Sequence, residues 1–500
     1  ALWPAMAGPG VAPAASGLPA PPGCQVCAAA PPKTGFGLFS EVSRAPGEQV
    51  FADSPLFVIQ HTGNRRMVAA CANCCAFVEP LHAQLEVLFS EARFGASLLA
   101  TLAEAAPHWQ AEHAAAEAAA GVTVGEAVRC SQGCGEVYCS EACRAAHWGQ
   151  CHNLLCVGPV QSEDHPLLRF KYHALEHTDA LLLAAQVLAH LINRARAMGG
   201  GIAVTQGLMA ELLSFCHAPF REACRPPPGR GKDAEFVAHT DGLIAEAAGW
   251  LKAAFDIHAP AEAAALFQAG PAFLSEVLGL FEYNNIDVEV TSPLAAFFSA
   301  KGRTLLARGG VNGPGTTAAE LALVERLLRE KEWLMRCIWG EETTGIYADD
   351  AEIEAAAAAD PSAAGAVEVD AAMDEDGEEA VNPEVVNKAM SEARAAVDRM
   401  SFEQLLEAQW PAFHGTGLFM SVARINHSCA PNVKVLFPMN SARLQAIALT
   451  PVNAGEELCI SYIRQEADVK TRRRQLLEYG FNCVCEKCVR EDSTSVRKAQ

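Results

Sequence analysis

The chain has 500 residues, 50% of them hydrophobic, and a formal net charge of −21 at pH 7. That balance excludes broad electrostatic capture of DNA, which needs a basic face to meet the phosphates. Residues 341–380 carry fourteen Asp/Glu and no Lys/Arg, so most of the acidity belongs to one segment, not to a functional surface.

The 19 cysteines exceed what core filling needs, and most stand in tight pairs, as thiolate metal ligands do. The N-terminal stretch is Pro/Ala/Gly-rich with no basic flank before Lys33. No secretory leader is therefore expected, and a reduced, zinc-binding protein of the nucleus or cytoplasm is a better reading than a disulfide scaffold. Residues 1–33 are expected to be disordered, with Cys24 and Cys27 as a lone Cys-x-x-Cys pair. Over 34–70 the runs Gly35-Phe36-Gly37-Leu38-Phe39, Val50-Phe51-Ala52 and Leu56-Phe57-Val58-Ile59 read as short strands broken by Gly and Pro. A cysteine block fills 71–156, interrupted by Ala/Glu-rich helical sequence at about 82–120. Residues 157–280 read as helices with apolar faces such as Leu181-Leu182-Leu183-Ala184, broken by the loop Arg225-Pro226-Pro227-Pro228-Gly229. The run 180–192 contains Gln186 and His190 and is too short to span a bilayer, so no membrane partner is expected. Residues 281–340 include an amphipathic helix at about 318–339, and 341–385 form an acidic low-complexity linker. Strand signals return within 400–465, at 433–437, 444–449 and 457–462. A basic helix over 469–479 opens the last segment, 466–490. Its run Lys470-Thr471-Arg472-Arg473-Arg474 is expected on a solvated helix face, ahead of a nuclear signal.

Within the cysteine block the spacing is Cys71-x2-Cys74, Cys130-x3-Cys134, Cys139-x3-Cys143 and His152-x3-Cys156. Tetrahedral zinc takes four soft ligands, and a short spacing lets one turn deliver two, so four pairs suggest two sites. Cys75 competes with Cys74, and His147-x3-Cys151 has the same spacing as the last pair. Further on, Asn426-His427-Ser428-Cys429 is followed by Gly455-Glu456-Glu457-Leu458, Ile460-Ser461-Tyr462, and Tyr479-Gly480-Phe481-Asn482-Cys483-Val484-Cys485-Glu486-Lys487-Cys488. Three thiolates at Cys483, Cys485 and Cys488 need a fourth ligand. Taken alone, His427 could equally be a satisfied core histidine, and Tyr462 or Tyr479 a core tyrosine.

The cysteine block, with Tyr138-Cys139-Ser140 and Trp148, resembles the MYND zinc finger. The later set resembles the SET domain of protein-lysine methyltransferases with its post-SET zinc segment. The resemblance implies an α+β fold: a mostly β SET core with a pseudoknot, an inserted MYND finger and helical inserts. The SET part is then split into 34–70, 281–340 and 400–465 around the MYND block and the helical insert, with 466–490 as the post-SET segment. It further implies that the first and third pairs share one zinc, the second and fourth another, and that Cys429 completes the third site. Trp148 favours His152 and Cys156 over the rival pair. S-adenosylmethionine is the implied cofactor. Gly35, Phe36, Gly37 and Leu38 would form a loop meeting its methionine end, Asn426 and His427 would hold the adenine, and Phe481 would lie against that ring. Tyr462 would stand at the methyl-transfer point and Tyr479 would wall the lysine channel. One of Asn284 and Asn285 would satisfy buried backbone or line the peptide groove. Leu280-Phe281-Glu282-Tyr283-Asn284-Asn285 and Gly415-Thr416-Gly417-Leu418-Phe419 are similar to plant trithorax-related SET proteins and to animal SET and MYND proteins that lack a helical-repeat tail. The resemblance implies methylation of a lysine, of histone H3 above all, by a monomeric chromatin regulator. A proline-rich peptide is the implied MYND partner, and DNA is not a direct one. The alternative is a catalytically silent scaffold that recruits partners.

Overall fold

The computed structural model describes residues 20–29, 35–79, 83–84, 126–158, 162–213, 215–224, 233–293, 411–477 and 479–491. The helical interruption at 82–120, the proline loop, the helix at 318–339 and the acidic linker lie outside these residues, apart from 83–84. Nearly all described residues fall in one compact unit built from 1–88, 117–291 and 412–500. The second unit is 89–116 with 292–411, of which only Ser292, Pro293 and Pro411 are described.

The architecture is mixed, with small sheets set against a helical body, as the α+β reading expects. Strands β1 (Cys24–Ala28) and β2 (Phe36–Ser40) pair antiparallel, Cys24 opposite Ser40 and Ala28 opposite Phe36. One sequence expectation needs correction here and another is met. The segment 1–33 contains a paired strand, whereas the run from Gly35 is the expected strand from Phe36 onward, so that the loop implied for Gly35–Leu38 is strand after its first residue. Neither run is long enough to show a period by itself, so the pairing that orders them is non-local.

Next come β3 (Gln49–Asp53) and β4 (Pro55–Gln60), which enter different sheets. The hairpin β5 (Val128–Arg129) and β6 (Val137–Tyr138) leads into α1 (Glu141–His147), which continues through a π-turn at Trp148–His152. The helical body follows: α2 (Pro166–His177), α3 (Ala180–Ala197), α4 (Ile202–Leu212), α5 (Phe220–Ala223), α6 (Ala234–Asp256), α7 (Pro260–Leu266) and α8 (Ala272–Asn284). The apolar run that is too short for a bilayer becomes α3, with Leu181, Leu188 and Ile192 wholly buried among its neighbours. No described helix is long and apolar enough to cross a membrane.

Helix α8 runs directly into β7 (Asn285–Val290), which pairs with β8 (Phe413–Phe419) in a sheet ordered β4-β8-β7. One core joins that sheet to the helices: Phe57, Ile59 and Leu418 pack with Phe170, Leu188, Phe255, Leu274 and Phe281. After β8 come β9 (Asn426–His427), β10 (Val433–Leu436), β11 (Leu444–Ala448), β12 (Cys459–Ile460) and α9 (Val469–Leu477). Strands β10, β11 and β3 form the third main sheet, while β9 and β12 pair in parallel, Asn426 beside Cys459 and His427 beside Ile460. That parallel pair brings together the two motifs on which the site is built, although its partners Asn426 and Cys459 lie 33 positions apart in sequence.

Candidate active site and metal centres

Three clusters of ligand atoms occur among the described residues, each with its atoms within 4.8 Å of one another. They are Cys71, Cys74, Cys139 and Cys143; Cys130, Cys134, His152 and Cys156; and Cys429, Cys483, Cys485 and Cys488. Four sulfurs at about 2.3 Å from a tetrahedral ion would stand about 3.8 Å apart. The sulfurs here fit that spacing: Cys74–Cys139 3.6 Å, Cys139–Cys143 3.5 Å, Cys130–Cys156 3.9 Å, Cys429–Cys483 3.9 Å and Cys429–Cys488 3.5 Å. None of these cysteines is in a disulfide. The donor sets therefore suit zinc: soft, tetrahedral and closed.

Local structure explains how each pair is delivered. The tight turn after Cys71 is closed by Cys75 N–H on Cys71 O at 2.9 Å, and Ala72 N–H bonds Val137 O, fixing the turn beside β6. Ser140 caps α1 by accepting from Cys143 N–H at 3.2 Å, so Cys139 and Cys143 present their sulfurs one helical turn apart. His152 Nε2 lies 3.5 Å from Cys130 Sγ and 3.4 Å from Cys134 Sγ. Burial holds that imidazole well below its ordinary range, near 4, and so leaves it neutral and able to ligate. The rival residues are used otherwise: His147 Nδ1 meets the Tyr138 hydroxyl at 3.1 Å, Cys151 is buried in the main core, and Cys75 turns away at φ 62°. Cys24 and Cys27 sit on β1 and join none of the three clusters.

The C-terminal cluster is tied to the SET strands. Helix α9 ends in a Schellman-type turn, with Gly480 N–H on Leu477 O and Phe481 N–H on Leu476 O. Gly480 supplies the φ of 81° that this reversal needs. The turn brings Tyr479 and Phe481 back against β9 and β12. The Tyr462 and Tyr479 rings are 5.3 Å apart, and His427 lies 5.3 Å from Tyr462 and 6.0 Å from Phe481.

Asn426 donates to Phe36 O at 3.1 Å and to Glu457 Oε1 at 2.8 Å. A Cβ on Gly37 would lie 2.7 Å from that carboxylate and 2.8 Å from the Asn426 amide, so any larger residue would have to displace this pair of side chains. The β2 backbone is already engaged: Gly35 O accepts from Ala29 N–H, Leu38 O from Leu458 N–H. His427 is buried, and both of its ring nitrogens have partners inside the chain. Nδ1 accepts from Tyr462 N–H at 3.0 Å and Nε2 lies 3.2 Å from Cys429 Sγ.

A cleft of about 540 Å³ opens beside these residues, lined by Tyr283, Asn284, Asn285, Val435, Tyr462 and Tyr479 among others. Gly35 to Leu38, Asn426, His427 and Phe481 are not part of its lining. The Tyr462 hydroxyl donates to Ile425 O at 2.6 Å, and burial raises its pKa, so the phenol keeps its proton at neutral pH. Between the two asparagines, the end of α8 decides. Asn284 is buried and donates to Cys216 O at 2.8 Å and Leu280 O at 2.6 Å, whereas the buried Oδ1 of Asn285 has no hydrogen-bond partner.

Two functional positions escape a reading by composition. Arg472, expected on a solvated face, is 1% exposed and bonded to Cys488 and Glu491. Asn432 clamps β12 by donating to Glu457 O and accepting from Cys459 N–H. Only the spacing to the final cysteines hinted at the first, and nothing local marked the second.

The family model "SET domain" matches residues 315–463, of which 411–463 are described. "Histone-lysine N-methyltransferase ATXR2" of Arabidopsis thaliana is 26% identical over 388 residues, covering 73% of this chain and 63% of the relative. "Protein-lysine N-trimethyltransferase SMYD5" of Mus musculus is 43% identical over 81 residues, 15% of this chain and 20% of the relative. A SET and MYND domain-containing protein of Dictyostelium discoideum is 42% identical over 78 residues, 15% of this chain and 22% of the relative. The chain thus spans under two thirds of the length of each of these curated relatives. Together with the clusters and strands above, these likenesses show that the chain carries a SET domain and is similar to SET-and-MYND proteins and to a plant trithorax-related protein.

Proposed function

We propose that this chain is a protein-lysine N-methyltransferase that uses S-adenosylmethionine, with zinc at its three cysteine clusters and a histone H3 tail as its leading substrate. The observation that carries the reading is the paired Tyr462 and Tyr479 at the wall of the cleft, backed by the Asn426–Phe36 contact and the C-terminal thiolates. The names of the relatives support catalysis over a silent scaffold, since those of the plant and mouse proteins carry a lysine methyltransferase title.

When bound, S-adenosylmethionine supplies an electrophilic methyl on a sulfonium. The chain's own residues do the rest. The close approach of β2 to Asn426 at Gly37 sets residues 35–38 beside Asn426, and in this reading the first meet the methionine end and the second the adenine, with the contacts they now make inside the chain rearranged on binding. Phe481 offers an apolar face for that ring. His427 contributes through its backbone and through holding Tyr462, because its ring is already occupied. The Tyr462 proton is committed to Ile425 O, so the lone pairs of its oxygen are left to accept from a lysine amine. Burial in the cleft and a neighbouring cation lower the lysine pKa and populate the reactive free base. Alignment in an enclosed channel then supplies much of the acceleration. Glu282 and Asp287 at the cleft suit a basic tail, and a proline-rich peptide remains the proposed MYND partner.

The test combines calorimetry of zinc-loaded protein with S-adenosylmethionine and methylation of nuclear and cytosolic extracts with a labelled donor. Saturable heat and a labelled lysine on histone H3 are expected. No heat would remove the enzyme reading, and heat with label only on another protein would remove histone H3 alone.

A further inference from the structure

Helix α9 carries the basic run that composition assigns to solvent, yet its central arginine is the largest fully buried side chain among the described residues. Arg472 donates from one terminal nitrogen to Cys488 Sγ at 3.5 Å and to Glu491 Oε2 at 2.8 Å, and from the other to Ala467 O. Burying a guanidinium costs several kcal/mol unless anionic partners meet it. Glu491 meets part of that requirement, but its side chain is 35% exposed, so water screens the pair. Four thiolates around a divalent ion carry a net charge of −2, which gives Arg472 a buried counter-charge at contact distance.

His427 meets the same cluster at Cys429. Its Nδ1 accepts the Tyr462 backbone N–H at 3.0 Å, which requires Nδ1 to be unprotonated. In a neutral imidazole the proton then sits on Nε2, directed at Cys429 Sγ 3.2 Å away. The sulfur must accept this bond, which is the role of a metal-bound thiolate. A thiol aiming its own hydrogen at Nε2 would leave both protons in one contact. Outer partners that donate to ligating sulfurs fix the ligands and spread their charge.

We propose that Arg472 and His427 are the outer-shell donors of the C-terminal metal site, and that His427 couples that site to the position of Tyr462. The chain of contacts runs Arg472–Cys488–metal–Cys429–His427–Tyr462, and its last link reaches the hydroxyl held on Ile425 O. Arg472 and His427 are positioning residues in this arrangement: neither is required to touch the reacting atoms for the coupling to operate. The inference rests on the reading of the three clusters as zinc sites.

The test is stepwise zinc release to a chromogenic chelator from the full chain, with amide hydrogen exchange measured on the peptide containing Tyr462. Arg472→Met and His427→Gln are each expected to release one of three zinc ions at 10- to 100-fold lower chelator concentration, the scale of outer-shell losses. The other two ions should be released as in the unaltered chain, which shows that the fold survives. Exchange at Tyr462 should rise in both variants, and Arg472→Lys, which keeps the charge, should recover part of the affinity. Three ions released as in the unaltered chain from both variants would overturn the proposal alone. An unaltered chain that holds only two ions would overturn the zinc reading and this proposal together. Weakened zinc with unchanged Tyr462 exchange in His427→Gln would overturn the coupling.

Discussion

At the scale of single residues, Tyr462 and Asn284 show how differently two buried polar groups can serve one cleft. Tyr462 spends its proton on Ile425 O and is held at its backbone by His427, so both its position and its lone pairs are set before substrate arrives. Phenylalanine at 462 keeps the ring tilted against Tyr479 but removes the oxygen. Turnover is expected to fall by about 10²- to 10³-fold, on the scale of losing one preorganised polar group at a reacting centre. Single-turnover methylation checks this alongside zinc content, which should stay at three equivalents; unchanged turnover would take Tyr462 out of the chemistry. Asn284 works on the scaffold instead. Its amide donates to Cys216 O and Leu280 O where α8 gives way to β7, and alanine there removes the bond that ties α8 to the exposed Cys216 segment. A loss of about 0.5–1.5 kcal/mol in denaturant unfolding is expected, the net worth of one hydrogen bond whose acceptor water can reach. The two adjacent asparagines look alike in sequence. Only the geometry of the helix end, with Asn284 facing inward and Asn285 beginning the strand, separates them.

At the scale of elements, α8 lies close against the backbone that leads into α5. A Cβ on Gly279 would fall 1.8 Å from Ala218 O and 3.3 Å from the Ala223 side chain. Gly279→Ala therefore has to push α8, and with it β7 and the cleft wall, away from the 218–223 segment. Overpacking of this kind costs about 1–3 kcal/mol, read as a lowered melting temperature. The contrasting change is Gly249→Ala in α6, where the added methyl meets nothing within 4 Å. There a gain approaching 1 kcal/mol is expected from helix propensity. Equal effects from the two substitutions would refute the packing argument. Elements also mark where the sequence was readable. The α3 run, the strands at 433–436, 444–448 and 459–460 and the cysteine pairs announce themselves because their periodicity or spacing is local. Strand β1 does not, since five residues become a strand only by pairing with β2. The burial of Arg472 was equally hidden, because a basic run looks solvated until the segment after α9 brings three cysteines back to join Cys429 beside it.

At the scale of the whole molecule, the described unit is closed by contacts between segments far apart in sequence. Ala442 N–H bonds Cys74 O and Phe77 N–H bonds Asn440, so the MYND-like module is fastened to the SET strands at two points, while Asn64 bonds Ala412 O between two remote parts of the SET segment itself. The C-terminal cluster adds a further closure, linking Cys429 to Cys483, Cys485 and Cys488 across more than fifty residues. Because the tail carries Tyr479 and Phe481, whatever holds the cluster also holds one side of the site. The MYND-like clusters share no ligand with it. Cys429→Ser should therefore separate two properties that chelation of all zinc would lose together. The variant is expected to retain two zinc equivalents and its overall fold, because the first two clusters and the main core are untouched. It should bind S-adenosylmethionine at least about tenfold more weakly, since loss of a closing ligand frees the segment that carries Phe481. Metal analysis and calorimetry on the same preparation decide the matter. Three retained equivalents would refute Cys429 as a ligand, whereas two equivalents with undiminished cofactor affinity would show that the cluster closes the tail without shaping the site.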